Sequence, residues 1–297
     1  MIPRYLVIPA VAALAFSAST LANASSAHTW VAYWGSDTNS GTMTSPYADF
    51  QTAVANTSAG GIISALTPGD YGAFTITQSI TVEGADGAGL TFTGSEGIYI
   101  YAPTSASVVL RNLTVNGVGT GEDAIFFEQG QNLVVDHCHL EGFTDIGVGV
   151  GSLDPMNVVI RDTVIQGGEL GVRTFQSSGG VYNDHVSLQN VTIEGASSAG
   201  IFTRNGNMEV VHSVISSTKL ALEADTSATL NISSSAIFNN SVAICAYNPG
   251  TIRINDNDIY GNATANENCG GAIVSTGNNR LAGYTTNTAP NGKVVVQ

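Results

Sequence analysis

At 297 residues, with 9 Lys+Arg against 23 Asp+Glu and a formal net charge of −14, the chain offers no basic face for DNA or RNA. Its 43% hydrophobic content is too high for a disordered chain, and 34 glycines with only 11% charged residues fit a β-rich extracellular protein better than a cytoplasmic helical one. Length alone allows one large domain or two small ones.

Residues 1–24 read as a secretory signal peptide. Arg4 supplies the positive start, residues 6–16 the apolar core and Ala22-Asn23-Ala24 the small-residue cleavage site. The apolar run is too short to span a membrane, and no later run approaches the roughly 18 apolar residues that a span needs. The mature chain is therefore expected to be exported, periplasmic or extracellular, without a transmembrane segment and monomeric.

Residues 25–75 are expected to form an N-terminal cap and the first strand leading into the coils. Within them, Asp49-Phe-Gln-Thr-Ala-Val-Ala55 is a short amphipathic helical stretch. A solenoid exposes its apolar core at its first coil unless something covers it, and this helix is placed to do so.

Residues 76–297 carry a repeat. Asn112-Leu-Thr-Val-Asn-Gly117, His137-Cys-His-Leu-Glu-Gly142 and Asp162-Thr-Val-Ile-Gln-Gly167 share one pattern with five later segments. The apolar anchors are Val115, Leu140, Ile165, Ile193, Ile215, Ile237, Ile259 and Leu281, at successive spacings of 25, 25, 28, 22, 22, 22 and 22. Each copy also holds short alternating strands such as Val108-Val-Leu110 and Ile252-Arg-Ile254. Strands this short, punctuated by Gly and Asn, exclude a helical repeat and predict a parallel β-helix. Its coils stack at about 4.8 Å with one stripe of Val, Ile and Leu pointing inward. The surplus of the longer coils is expected as loops near 152–156 and 177–184, and the apolar residues 294–296 as a closing strand.

Three residues before each anchor stand Asn112, His137, Asp162, Asn190, His212, Ser234, Asp256 and Asn278. One polar residue per coil predicts a stacked column at a tight corner, its side chains satisfying backbone groups. That reading removes His137 and His212 from the list of candidate catalysts. Asp184-His185 is an acid/base candidate in the longest coil, although such a loop pair is more commonly a turn element. Cys245 and Cys269, about one coil apart, are expected to form a disulfide, leaving Cys138 as a lone buried thiol.

The N-terminal pattern Phe50-Gln-Thr-Ala-Val, Pro68-Gly-Asp-Tyr-Gly72 and Ile76-Thr-Gln-Ser-Ile-Thr-Val82 resembles the opening of right-handed parallel β-helix proteins of the pectin-lyase-like superfamily. Gly271-Ala-Ile-Val-Ser-Thr-Gly-Asn-Asn-Arg-Leu-Ala-Gly283 is similar to the last coil of an uncharacterised exported bacterial subgroup. The resemblance implies an all-β, single-stranded right-handed β-helix and a leaning towards carbohydrate. Asp136-His137-Cys138 resembles an Asp-His stretch of pectate lyases, without its usual Trp.

The strand after the longest turn of each coil holds the remaining candidates. If its apolar alternates point inward, then Phe126, Glu128, Arg173, Phe175, Phe202, Arg204, Glu223, Asp225, Cys245 and Tyr247 share one outer face, with Gly147 and Gly149 leaving a depression. Aromatic rings stack on sugars and arginines grip carboxylates. Phe126, Phe175, Phe202, Glu223 and Tyr247 are the substrate-binding candidates, and Arg173, Glu128 and Arg204 the catalytic ones. Asp123, Asp145 and Glu169, 22 and 24 residues apart, are expected to stack at the strand heads and to attract Ca²⁺. With Arg173 nearby the layout resembles a calcium-assisted polyuronate lyase, in which Ca²⁺ acidifies the C5 proton and an arginine removes it. A paired-carboxylate hydrolase is disfavoured, because Glu128 and Glu223 are about four coils, roughly 19 Å, apart. Two functions follow: a carbohydrate-binding or carbohydrate-active protein meeting an extracellular polysaccharide, or a non-catalytic surface, matrix or adhesion rod.

Overall fold

The short alternating runs of each repeat become three strands per coil. One coil runs through Ser107–Arg111, Thr114–Asn116 and Asp123–Gln129, and the next through Asn132–Asp136, His139–Glu141 and Ile146–Val150. The structure, a computed structural model, describes residues 26–151, 155–175, 184–204 and 206–293. The residues expected to form the signal peptide and the closing strand, and most of those expected to form the longer loops, lie outside these described residues. Each strand hydrogen-bonds in parallel with its counterpart one coil away, giving among the described residues sheets of twelve, ten and nine strands. This is a right-handed parallel β-helix, as expected.

Register explains why the repeat is visible. Val115, Leu140, Ile165, Ile193, Ile215, Ile237, Ile259 and Leu281 pair one on the next through the second sheet. Leu90 extends the column by one coil that the sequence pattern did not reveal. These anchors join one continuous core, together with inward residues of the other two sheets such as Val108, Leu110, Ile125 and Phe127. Burying a Val, Leu, Ile or Phe side chain contributes about 1.5–3 kcal/mol, and parallel stacking repeats that gain at every coil.

The corner between first and second sheets accounts for the polar column. Asn112, His137, Asp162, Asn190, His212, Ser234 and Asp256 adopt left-handed φ between 49° and 54°. Asn and Asp tolerate that region best, so the column selects for backbone conformation. Much of the side-chain bonding between coils sits one residue later and points inward. Val191 N donates to Ser213 Oγ (3.1 Å), Ser213 N to Ser235 Oγ (3.0 Å), Ser235 N to Asn257 Oδ1 (3.1 Å) and Asn257 N to Asn279 Oδ1 (2.9 Å). A second inward ladder, Thr218, Asn240 and Asn262, lines the corner between second and third sheets.

At the N-terminus the helix Phe50–Asn56 forms where expected, with Asp49 accepting from Thr52 N at 2.6 Å. A carboxylate in that position satisfies a backbone donor that the first turn leaves free. Phe50, Ala53 and Val54 are buried, and the Phe50 ring lies 5.1 Å from Tyr71 and 5.0 Å from Phe74. The first sheet already runs back through Thr57–Ala65 and Ser26–Val31 beside this helix. Near the far end, Gly292–Lys293 pairs with Ala272–Ser275. Cys245 and Cys269 are bonded with their Cα atoms 5.6 Å apart, and Cys138 is a buried free thiol.

Candidate functional site

The outer face of the third sheet is a column read directly from register: Tyr99, Phe126, Gly149, Arg173, Phe202, Glu223, Cys245 and Glu267. Phe175, Asp225 and Tyr247 continue the coils just past the strands, their amides bonded to Val150 O, Thr203 O and Ala224 O. Glu128 and Arg204 occupy the same border. The ten residues expected on one face therefore come from one side of the sheet, and one of them is not exposed there. Cys245 is buried, because the disulfide to Cys269 folds the following turn over it.

The expected depression is closed. A Cβ at Gly149 would stand 2.6 Å from the Phe126 ring and 3.5 Å from that of Phe175, so these rings occupy the space the glycine leaves. They meet edge to face at 5.5 Å. Gly147 faces the other way, where a Cβ would meet Ile165 and Phe143. The face is an aromatic floor continued by Tyr99, stacked on Phe126 at 6.3 Å, and by Tyr101 at 6.4 Å from Tyr99.

Arg173 stands in this floor. Its guanidinium lies 4.1 Å from the Phe175 centroid and 5.6 Å from that of Phe202, and its Nε is buried without a hydrogen-bond partner among the described residues. Burial, and then the neighbouring charge of Arg204, lower its pKa. Arg204 approaches Phe202 from its own coil at 5.3 Å and reaches Asp225 at 3.4 Å. Glu223, next along the column, is raised by burial and then by Asp225. Glu128 accepts a short hydrogen bond from the Tyr99 hydroxyl. Burial and that bond push the Tyr99 phenol up to about 12.

At the strand heads, Asp145 N donates to Glu122 O and Glu169 N to Asp145 O, so these three acids follow one another in the backbone ladder. Asp123 stands one position on, in register with Glu96, and its Oδ1 accepts from Ile146 N at 3.1 Å. Burial first, then Asp145 and the nearby Glu96 and Glu122, push the Asp123 carboxyl up to about 7. Sequence reasoning missed Tyr99, Tyr101, Glu96 and Glu122. The alternation Ile98-Tyr99-Ile100 was the available signal, but its coil lacks the polar corner residue used to find the repeat.

Asp184 is buried and accepts from Met156 N at 3.0 Å, so the Asp184-His185 pair serves a turn. Asp136 lies on the opposite side of the coil from this face, clamped by Arg111, Arg161 and His137. Among the described residues, Asp136, His137 and Asp162 bring three ligand atoms within 4.8 Å of one another, and the trio Asp123, Asp145 and Glu169 does not.

No protein-family model and no curated protein sequence matches the chain. Pectate lyase Pel9A superposes with a TM-score of 0.69 at 14% identity, over 91% of this chain and 78% of its own. XylC in complex with xylose superposes with a TM-score of 0.55 at 11% identity, over 86% and 69%. With the three parallel sheets, this likeness defines the class: a parallel β-helix of the pectin-lyase-like fold. At such identity it speaks for the fold alone, and function has to be argued from the face itself.

Proposed function

We propose that the outer face of the third sheet binds an extracellular, uronate-containing polysaccharide and cleaves it by elimination. The observation that carries this reading is Arg173, a guanidinium held over two aromatic rings with its Nε buried and unbonded. A guanidinium so placed has, among the described residues, no paired carboxylate to hold its charge, which favours the neutral form that a base needs. Phe126, Phe175, Phe202 and Tyr247 offer rings for the sugar faces, and Glu223 a hydroxyl acceptor. In the reaction Arg173, its pKa lowered, takes the proton from C5 as the C4–O bond breaks and a C4–C5 double bond forms. Arg204 grips the carboxylate, and Glu128 with the Tyr99 hydroxyl passes a proton to the leaving oxygen. Structural neighbours that include a pectate lyase and a xylose complex support a carbohydrate ligand. The disulfide supports an exported protein, since such bonds persist in oxidising compartments.

Asp123, Asp145 and Glu169 are the proposed seat of a Ca²⁺ ion. The crowding of carboxylates that helps raise Asp123 is what a divalent cation relieves. Because their ligand atoms are not drawn together into a trio, no step of the elimination is routed through a metal. A second reading, a non-catalytic surface or matrix rod, draws on the evenly spaced C-terminal coils and their continuous Asn ladders.

One experiment separates them. The protein is incubated with acidic and neutral polysaccharides, with Ca²⁺ and with chelator, while unsaturated-uronate absorbance, reducing ends and binding are followed. Unsaturated products that disappear in Arg173→Ala support the elimination. Silence in all three assays overturns it and leaves the rod. Binding of neutral glycans without cleavage overturns the catalytic roles and retains a lectin-like face.

A further inference from the structure

We propose that His137 and Asp162, on neighbouring coils, form the protein half of a binding site for a divalent transition metal such as Zn²⁺ or Cu²⁺. The site lies at the corner between first and second sheets, apart from the face described above, and does not depend on the function proposed for it.

The geometry begins with a buried carboxylate. Asp136 ends the strand Asn132–Asp136 and is 3% exposed. Its Oδ2 accepts from Arg161 Nη2 at 2.8 Å and from Arg111 Nε at 3.1 Å. Two guanidiniums on that one oxygen make Asp136 the acceptor of a charge-assisted cluster. An ionised carboxylate only accepts. The 2.6 Å contact between Asp136 Oδ1 and His137 Nδ1 therefore places the proton on Nδ1. In that tautomer the lone pair lies on Nε2, and that atom faces Asp162 Oδ2 at 4.0 Å.

Two electron-pair donors thus face each other, and closing their 4.0 Å separation by roughly half an ångström lets both reach one tetrahedral metal ion. Typical bonds to zinc are about 2.0–2.1 Å from imidazole nitrogen and about 2.0–2.2 Å from carboxylate oxygen. Each ligand is braced by an outer partner, His137 by Asp136 and Asp162 by Asn190, whose Nδ2 donates to Oδ1 at 2.7 Å. Bracing of this kind fixes the tautomer and orientation of metal ligands. The two nearby guanidiniums are already matched, Arg111 by Glu83 at 2.7 Å and both by Asp136, which leaves the Asp162 charge for the metal. One imidazole and one carboxylate with the remaining positions open to water suit Zn²⁺ or Cu²⁺. Ca²⁺, which takes six to eight oxygens, is excluded by the same donor set. Bound metal ties two coils together at a corner.

The test is calorimetric titration of tag-free, chelator-treated protein with ZnCl₂ at neutral pH, paired with thermal unfolding. One Zn²⁺ per chain is expected, with a midpoint that rises with Zn²⁺ concentration. His137→Asn keeps a residue suited to the left-handed corner but removes the imidazole, and Asp162→Asn removes the charge; each should weaken binding by at least about tenfold. Asn190→Ala, which removes only the brace on Asp162, should weaken it by about tenfold. His139→Ala and His212→Ala should leave the isotherm unchanged. Circular dichroism without metal establishes that each variant is folded before its titration is read. The proposal is overturned if the unaltered protein shows no saturable binding, if His137 merely gains a proton on acidification without responding to Zn²⁺, or if binding survives in folded His137→Asn.

Discussion

Burial acts in opposite senses on two charges of the third sheet. It weakens the hold of Arg173 on its proton and strengthens that of Asp123. Arg173 has no hydrogen-bond partner at Nε among the described residues, so its removal strands none of their buried groups there. Arg173→Ala should therefore change unfolding free energy by less than about 1 kcal/mol while abolishing any elimination activity. Denaturant unfolding and the unsaturated-uronate assay check the two halves separately, and activity that survives would move the base elsewhere. Asp123 gives a pH prediction with a definite sign. Its carboxyl, raised from 3.8 to about 7, binds more protons in the folded chain than in the unfolded one. Its contribution is then most favourable below pH 4 and declines as pH rises from about 4 to about 7. A shift of three units corresponds to about 4 kcal/mol, which solvent screening of a partly exposed carboxyl reduces to about 1–2 kcal/mol. Asp123→Asn, which keeps the acceptor for Ile146 N, should stabilise the protein by that amount at about pH 8 and leave it unchanged at about pH 4. Urea unfolding across this range measures the difference.

At the scale of one corner, the inward ladders carry a larger share of stability than the exposed polar column beside them. Asn257 accepts from Ser235 N, and its Nδ2 donates to Ile232 O at 3.0 Å and Asn279 Oδ1 at 2.9 Å. Asn257→Ala leaves several buried groups without partners and should cost about 2–4 kcal/mol, read as a lower denaturant midpoint at unchanged slope. Asp256→Asn, at the left-handed position one residue earlier, should stay within about 0.5 kcal/mol. The contrast shows what the repeat made legible. A polar residue at a fixed offset in every coil revealed the corner. It did not reveal that the bonding shifts to the next residue, because Leu113, Cys138, Thr163, Val191, Ser213, Ser235, Asn257 and Asn279 share no single side-chain type. What the first seven share is an inward direction, and that comes from the left-handed residue just before each.

Across the whole molecule, stability is a sum of coils and of the contacts between neighbours, so the ends govern where unfolding starts. Phe50–Asn56 covers the N-terminal end with buried apolar residues, whereas residues 283–293 near the other end are almost all exposed. The Cys245–Cys269 bond compensates on that side by closing a 24-residue separation. A constraint of this length contributes about 3 kcal/mol. Reduction should lower the thermal midpoint, and hydrogen exchange should then speed up first over residues 242–275. Exchange that instead quickens uniformly along the chain would show the coils to be one cooperative unit.

The sequence alone determined the β-helix, its 22-residue period, the anchor column and the pairing of two cysteines. All of these follow from spacing, because coils stacked at a fixed rise turn equal separations into contacts. It also put Phe126, Arg173, Phe202 and Glu223 on one face, since strand alternation is local. Only the tertiary structure decided that rings from two neighbouring coils close over Gly149 and that Tyr99 belongs to the same floor. It also decided that Asp123 steps out of the acidic row and that His137 looks towards Asp162. Those facts depend on how side chains more than twenty residues apart fill shared space, and no spacing rule encodes that.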